Sequence, residues 1–166
     1  MSEKQLVIDG LELHYDGLFD LKELLKAIDK YTRAKGYSKS EKRRQELVKK
    51  TGKEFSIELR PTKLKTEYYT LQIKIRINIS NLEEAMVVKD DKKKKLNKGH
   101  VVMIFDAWAI TDYEHRWAKK PYYYFGLILV DRFFKKMHSD KFHGEVIDDT
   151  HYIHENIKAH LSLYRY

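Results

Sequence analysis

The chain has 166 residues, no cysteine and a formal net charge of +8, from 33 lysines and arginines against 25 acidic residues. This length favours a single domain over residues 1–166, and the absence of cysteine excludes disulfides and thiolate metal ligands and fits a reducing, cytoplasmic location. No stretch reaches the roughly 18 apolar residues that suggest a membrane-spanning helix, so we expect no membrane span.

The N-terminal part of the chain predicts one strand and one helix. Residues 6–14 favour a strand in which Gly10 makes a bend or bulge. Asp20 is a good helix N-cap, and Glu23 follows three residues later in a capping-box-like pair. Apolar residues then recur at helical spacing until Gly36, which is expected to end the helix.

Residues 38–50 are ambiguous, because their charge density would also suit an exposed helix. Thr51-Gly52 is a turn signal, and apolar residues alternate with polar ones after it. We therefore slightly prefer a hairpin of two strands around Thr51-Gly52. Pro61 is expected to close the second strand, at a position that needs no backbone donor.

The clearest pattern is the alternation within residues 66–80. The apolar positions are Leu71, Ile73, Ile75, Ile77 and Ile79, and the polar positions between them are Gln72, Lys74, Arg76 and Asn78. Successive side chains of a strand point to opposite faces, so this strand has one apolar and one cationic face. The pattern predicts an antiparallel sheet that is covered on one side only.

The remaining chain predicts another hairpin, a central strand and two helices. Residues 84–96 suit a hairpin with a lysine run, and Asn97-Lys98-Gly99 suits a turn. Residues 101–110 are apolar on both faces, as expected for a central strand that is covered on both sides for much of its length. Residues 122–137 and 145–163 favour two separate C-terminal helices.

This order of elements predicts an α+β fold: a curved antiparallel sheet of about six to seven strands, with one N-terminal and two C-terminal helices packed on one face. The order resembles the helix-grip architecture of START-like and polyketide-cyclase-like proteins, and this resemblance implies a cavity for an apolar ligand. Three short segments, residues 96–99, 105–107 and 111–113, are also similar to those of a group of small archaeal proteins, a likeness that implies no function.

Eight cations are candidates for binding an anionic partner: Lys63, Lys65, Lys74, Arg76, Lys92, Lys93, Lys94 and Lys95. The first four are expected on the open sheet face and the others on the second hairpin. Lysines that neutralise phosphates release counterions, so such binding would weaken steeply with salt. The structural alternatives are a solvated sheet face and edge lysines that prevent sheet-to-sheet aggregation.

Four residues are candidates for lining a cavity: Asp106, Trp108, Tyr113 and Trp117. A carboxylate within an apolar strand should have a raised pKa or a cationic partner, and the expected partner of Asp106 is Arg116, Arg132 or another inward-facing basic residue. The histidines late in the chain lack the spacing of a known metal motif. We predict no metal site, no cofactor and no catalytic residue.

The sequence carries no catalytic signature, so an enzyme is the less expected class. Our first hypothesis is a non-enzymatic binding protein whose partner is anionic, such as RNA or a ribonucleoprotein. The alternative is a helix-grip-like protein that binds an apolar small molecule between the sheet and the C-terminal helices. A third is a homo-oligomeric structural or interaction protein that associates through the tyrosine-rich helix.

Overall fold

The computed structural model describes residues 2–38, 42–49, 52–66, 69–89, 92–112 and 123–163. Its strands are β1 (Ser2–Phe19), β2 (Lys42–Lys49), β3 (Gly52–Leu59), β4 (Thr62–Thr66), β5 (Tyr69–Lys89) and β6 (Lys92–Asp112). Its helices are α1 (Leu21–Ala34) and α2 (Tyr123–Ser162). The predicted α+β class is correct, whereas the predicted width of the sheet and the predicted number of helices are not.

The sheet is antiparallel and five strands wide, in the order β1-β6-β5-β3-β2. The short strand β4 adds no width, because β3 and β4 pair with successive parts of the same edge of β5. Pro61 stands between them, and its carbonyl accepts a hydrogen bond of 3.0 Å from the Ile73 amide. The predicted width of six to seven strands is wrong, since the expected extra hairpin is the far end of β5 and β6.

The expected turn at Asn97-Lys98-Gly99 is a continuous part of β6. Gly99 pairs with Gly17 of β1, and the pairing runs unbroken on both sides of it. A Cβ atom on Gly99 would lie 3.0 Å from the Ser80 carbonyl oxygen. This glycine therefore permits a close approach of two backbones and does not reverse the chain.

The local predictions for the N-terminal part are confirmed. Gly10 has a φ of 66°, and the pairing of β1 with β6 shifts register around it, as at a bulge. The Asp20 carboxylate accepts hydrogen bonds from the amides of Lys22 and Glu23 at 3.0 and 3.2 Å, so it caps α1. The preferred hairpin is also confirmed, because β2 and β3 pair in antiparallel register up to Lys49 and Gly52.

The core lies on one face of the sheet. The odd-numbered residues of β5 from Leu71 to Ile79 are fully or almost fully buried, as are Met103 and Phe105 of β6. Leu24 of α1 and Ile153 of α2 belong to the same core cluster. Each buried isoleucine or leucine stabilises the fold by roughly 1.5–3 kcal/mol, so the alternation decides which face is covered.

A single helix of 40 residues, α2, stands where two C-terminal helices were predicted. The segment between the two expected helices holds one glycine, Gly144, and no proline. A glycine in a helix interior costs only about 1 kcal/mol relative to alanine, which packing against the sheet offsets. The prediction of two C-terminal helices is wrong, because the polar residues between them are part of one continuous helix.

Candidate nucleic-acid interface

Asp106 forms an ion pair on the face of the sheet opposite the core. Its Oδ2 accepts a hydrogen bond of 2.8 Å from Nη2 of Arg76, and its Oδ1 accepts one of 2.9 Å from the Gly10 amide. The Asp106 side chain is only 6% exposed, whereas that of Arg76 is 40% exposed. The cationic partner of this carboxylate is Arg76, which reaches across from β5, while the side chains of the two named candidates, Arg116 and Arg132, lie outside the described part of the chain.

Lys74 also has an acidic neighbour on this face. Its Nζ lies 3.7 Å from Oε2 of Glu58, and Arg60 pairs with the same carboxylate. Burial by itself would raise the pKa of Glu58, but the hydrogen bond from Arg60 and the charge of Lys74 outweigh it and lower that pKa. Because Lys74 and Arg76 both lie next to carboxylates, this face of the sheet carries ion pairs and not a row of unpaired cations.

Lys63 and Lys65 connect β4 to α2. Nζ of Lys63 lies 2.7 Å from Oε1 of Glu145 and 3.0 Å from Oδ2 of Asp149. Nζ of Lys65 lies 2.6 Å from the same Glu145 oxygen, and Nζ of Lys35 lies 3.5 Å from Oδ1 of Asp149. We call these three lysines and two carboxylates the α2 ion network.

The α2 ion network holds its members in their usual charge states. Burial would lower the pKa of Lys63, but hydrogen bonds to Glu145 and Asp149 outweigh it and raise that pKa. Burial would likewise raise the pKa of Glu145, and hydrogen bonds from Lys63 and Lys65 instead lower it. Burial and the adjacent Asp149 carboxylate raise the pKa of the Tyr37 hydroxyl. None of these shifts brings a pKa closer to neutral pH. The network is therefore suited to docking the helix and not to proton transfer.

The lysine run lies on a part of β5 and β6 that extends beyond the other strands. Leu82 is the last residue of β5 that pairs with β3, and Asn97 is the first residue of β6 that pairs with β1. Beyond them β5 and β6 pair only with each other among the described strands, and we call residues 83–89 and 92–96 the arm. Asn81, with a φ of 54°, and a register shift after Ser80 mark its base.

The inner face of the arm lies toward the body of the protein. Leu96 is buried, and Ala85 and Val87 are partly buried. Nζ of Lys94 lies 3.7 Å from Oδ2 of Asp20, the N-cap of α1. Through Lys94 the inner face is therefore directed toward the acidic N-cap of α1.

The outer face of the arm combines exposed apolar and cationic side chains. Met86 is 65% exposed and pairs with Lys95, while Val88 is 64% exposed and pairs with Lys93. Directly opposed residues of two strands project to the same face, so these four side chains form one surface. Glu84 adjoins it, with Oε2 3.6 Å from Nζ of Lys95. The side chain of Lys92 lies outside the part of the chain that the structure describes.

The two candidate cavity residues that the structure describes lie away from α2. Phe105 faces α2, where its ring centroid is 5.5 Å from that of His154. Asp106 and Trp108 alternate with core residues and so project to the opposite face. The other two candidates, Tyr113 and Trp117, fall outside the described residues.

The exposure of Met86 and Val88 was missed from the sequence, because an apolar run usually indicates a buried strand. The neighbouring lysine run was the available signal. Four consecutive lysines place charged side chains on both faces of β6, so neither face of the paired strands can be fully covered there. Among the described residues, no three histidine or acidic side chains are arranged to hold a metal ion. In the same part of the chain, no helix is long and apolar enough to cross a membrane.

Comparison with known proteins adds no relative: no protein-family model, no curated protein and no solved structure matches this chain.

Proposed function

We propose that this is a non-enzymatic binding protein whose anionic partner is RNA, and that the outer face of the arm makes the contact. The observation that carries the proposal is the grouping of exposed Lys93 and Lys95 with exposed Met86 and Val88. The other described candidate cations, at positions 63, 65, 74, 76 and 94, lie within 3.7 Å of carboxylates that are at most 26% exposed, whereas Glu84, which lies 3.6 Å from Lys95, is 74% exposed. The outer face is therefore the surface on which the described candidate cations are most accessible to an anionic partner.

The chemistry of this surface suits a polyanion with apolar parts. Ammonium groups neutralise phosphates and release their counterions, which favours binding at low salt. Exposed apolar side chains contribute when they leave water against a base. The net charge of +8 raises the rate of encounter with a polyanion.

The structure of the arm also suggests that a partner would stabilise it. A two-stranded hairpin alone is marginally stable in water, and this arm leaves two apolar side chains on its outer face exposed. The competing explanation is that its lysines only deter edge-to-edge association of sheets. A binding measurement separates the two explanations, because deterrence requires no affinity for RNA.

The test is fluorescence anisotropy with a labelled RNA hairpin that contains both a duplex stem and an unpaired loop. We expect binding to weaken about sevenfold between about 50 and 200 mM salt, the loss that two phosphate contacts on an unpaired strand predict. The Lys93→Gln/Lys95→Gln variant should bind about tenfold more weakly. The matched control is Lys141→Gln/Lys158→Gln, which removes two exposed charges from α2 and should change affinity no more than about twofold. Equal losses in the two variants, or no binding by the wild type, would refute the proposal.

A second candidate function is the binding of an apolar small molecule. It is supported by the order of elements, in which β1 pairs with the last strand and one long helix follows and packs on the sheet. Native mass spectrometry of protein purified from cells tests it. A retained mass of a few hundred daltons would favour this candidate, and the free protein mass alone would count against it. The same spectrum reports the oligomeric state, on which the third hypothesis depends.

A further inference from the structure

We infer that the arm binds an unpaired segment of RNA and not a regular duplex. This inference rests on the proposed function, because it specifies which form of RNA the outer face recognises.

The exposed apolar residues of the outer face favour unpaired RNA over a duplex. Met86 and Val88 are each about two-thirds exposed and lie two positions apart on one strand, so they project side by side about 7 Å from each other. A regular duplex stacks its bases and hides their flat apolar faces, whereas an unpaired segment exposes them. Side chains of this kind gain from contact with splayed bases and gain little from a phosphate surface.

The polar residues of the outer face are too few to recognise a duplex. Its described polar side chains are the ammonium groups of Lys93 and Lys95 and the carboxylate of Glu84. Proteins that recognise duplex RNA contact 2′-hydroxyls and phosphates across successive minor grooves. Two lysines beside an acidic group give few of these contacts, and the narrow major groove of the A-form helix does not admit side chains for reading bases.

The charges predict a shallow salt dependence. Lys93 and Lys95 can neutralise about two phosphates, and each phosphate contact on a single strand contributes roughly −0.7 to the slope of log K against log salt. The slope attributable to the arm should therefore be near −1.4. Glu84 competes with phosphate for Lys95, since the two side chains lie 3.6 Å apart.

The experiment compares three labelled probes by anisotropy: an oligouridylate of about 12 nucleotides, an RNA duplex of the same length and a DNA duplex. We expect the full-length protein to bind the oligouridylate about tenfold more tightly than either duplex. Met86→Ser/Val88→Thr should weaken oligouridylate binding about tenfold and leave the salt slope unchanged. Lys93→Gln/Lys95→Gln should reduce the slope by about 1.4.

Two variants guard against loss of folding as an explanation. Leu64→Ser changes another exposed apolar residue, on β4, and should leave oligouridylate binding as it is. Glu84→Gln should strengthen binding severalfold, which a damaged arm cannot do. Tighter binding of the RNA duplex that still requires the arm lysines would overturn this inference and leave the proposed function standing. Preference for the DNA duplex, or no binding of either RNA, would overturn both.

Discussion

At the scale of single residues, Arg76 and Asp106 depend on each other unequally. The Asp106 carboxylate is largely buried and is held by the guanidinium and by the Gly10 amide. Arg76 is partly exposed, so its charge can be solvated if the pair is broken. Removing the arginine leaves a buried charge with one donor fewer, while an asparagine at position 106 could still accept a hydrogen bond from Gly10.

The expected result is that Arg76→Met lowers the free energy of unfolding by about 1.5–3 kcal/mol, because it leaves a buried carboxylate without its cation. Asp106→Asn should cost less than about 1 kcal/mol. Urea denaturation of both variants at neutral pH measures the difference. Equal costs would show that Asp106 is better solvated than its burial indicates.

At the scale of elements, two glycines differ in what surrounds them. Gly99 of β6 faces the backbone of the neighbouring β5, where a Cβ atom would contact the Ser80 carbonyl oxygen at 3.0 Å. Apart from its chain neighbours and the backbone of its own helix, no described atom lies within 4 Å of the position that a Cβ on Gly144 of α2 would take. The first glycine is required by the approach of two strands, whereas the second only weakens a helix.

The same substitution should therefore have opposite effects at the two positions. Gly99→Ala should destabilise the protein by about 1–3 kcal/mol, because backbone atoms must move to admit the methyl group. Gly144→Ala should stabilise it by up to about 1 kcal/mol through helix propensity. Thermal unfolding followed by circular dichroism compares them, and a stabilising Gly99→Ala would contradict the close approach described for β5 and β6.

At the scale of the whole molecule, the α2 ion network joins distant parts of the chain. Lys63 and Lys65 come from β4 and Lys35 follows α1, while both carboxylates belong to α2. The lowered pKa of Glu145 means that its contribution to stability is complete above its ordinary pKa and is lost as pH falls through the folded value. The raised pKa of Lys63 places the corresponding loss above its ordinary value of 10.5.

Glu145→Gln should consequently flatten the acid side of the stability profile. We expect wild-type stability to decrease from about pH 5 to pH 3 and expect this decrease to be smaller in the variant by on the order of 1 kcal/mol. The matched control is Asp148→Asn, which removes an exposed carboxylate from the same helix. Urea denaturation at each pH gives the profiles, and superimposable curves for wild type and Glu145→Gln would show that the Glu145 charge contributes nothing to stability.

Predictions from the sequence succeeded where neighbours along the chain decide the outcome. The alternation from Leu71 to Ile79 identified the buried face, and Asp20 identified the start of α1. They failed where a local signal had a second meaning that distant residues select. Gly99 fits a turn equally well, and only the strand beside it explains why it is a glycine.

The sequence by itself determined the class of fold, the covered face of the sheet and the caps and bulges, because these follow from periodicity and from the backbone preferences of single residues. Only the tertiary structure decided that β3 and β4 share one edge of β5, that α2 is continuous, and that Asp106 meets Arg76. It also decided which lysines meet largely buried carboxylates, and that Lys93 and Lys95 on the outer face of the arm stand beside exposed apolar side chains. The physical reason is that ion pairs and strand edges join residues far apart in the chain, and no local pattern records which partner a side chain will meet.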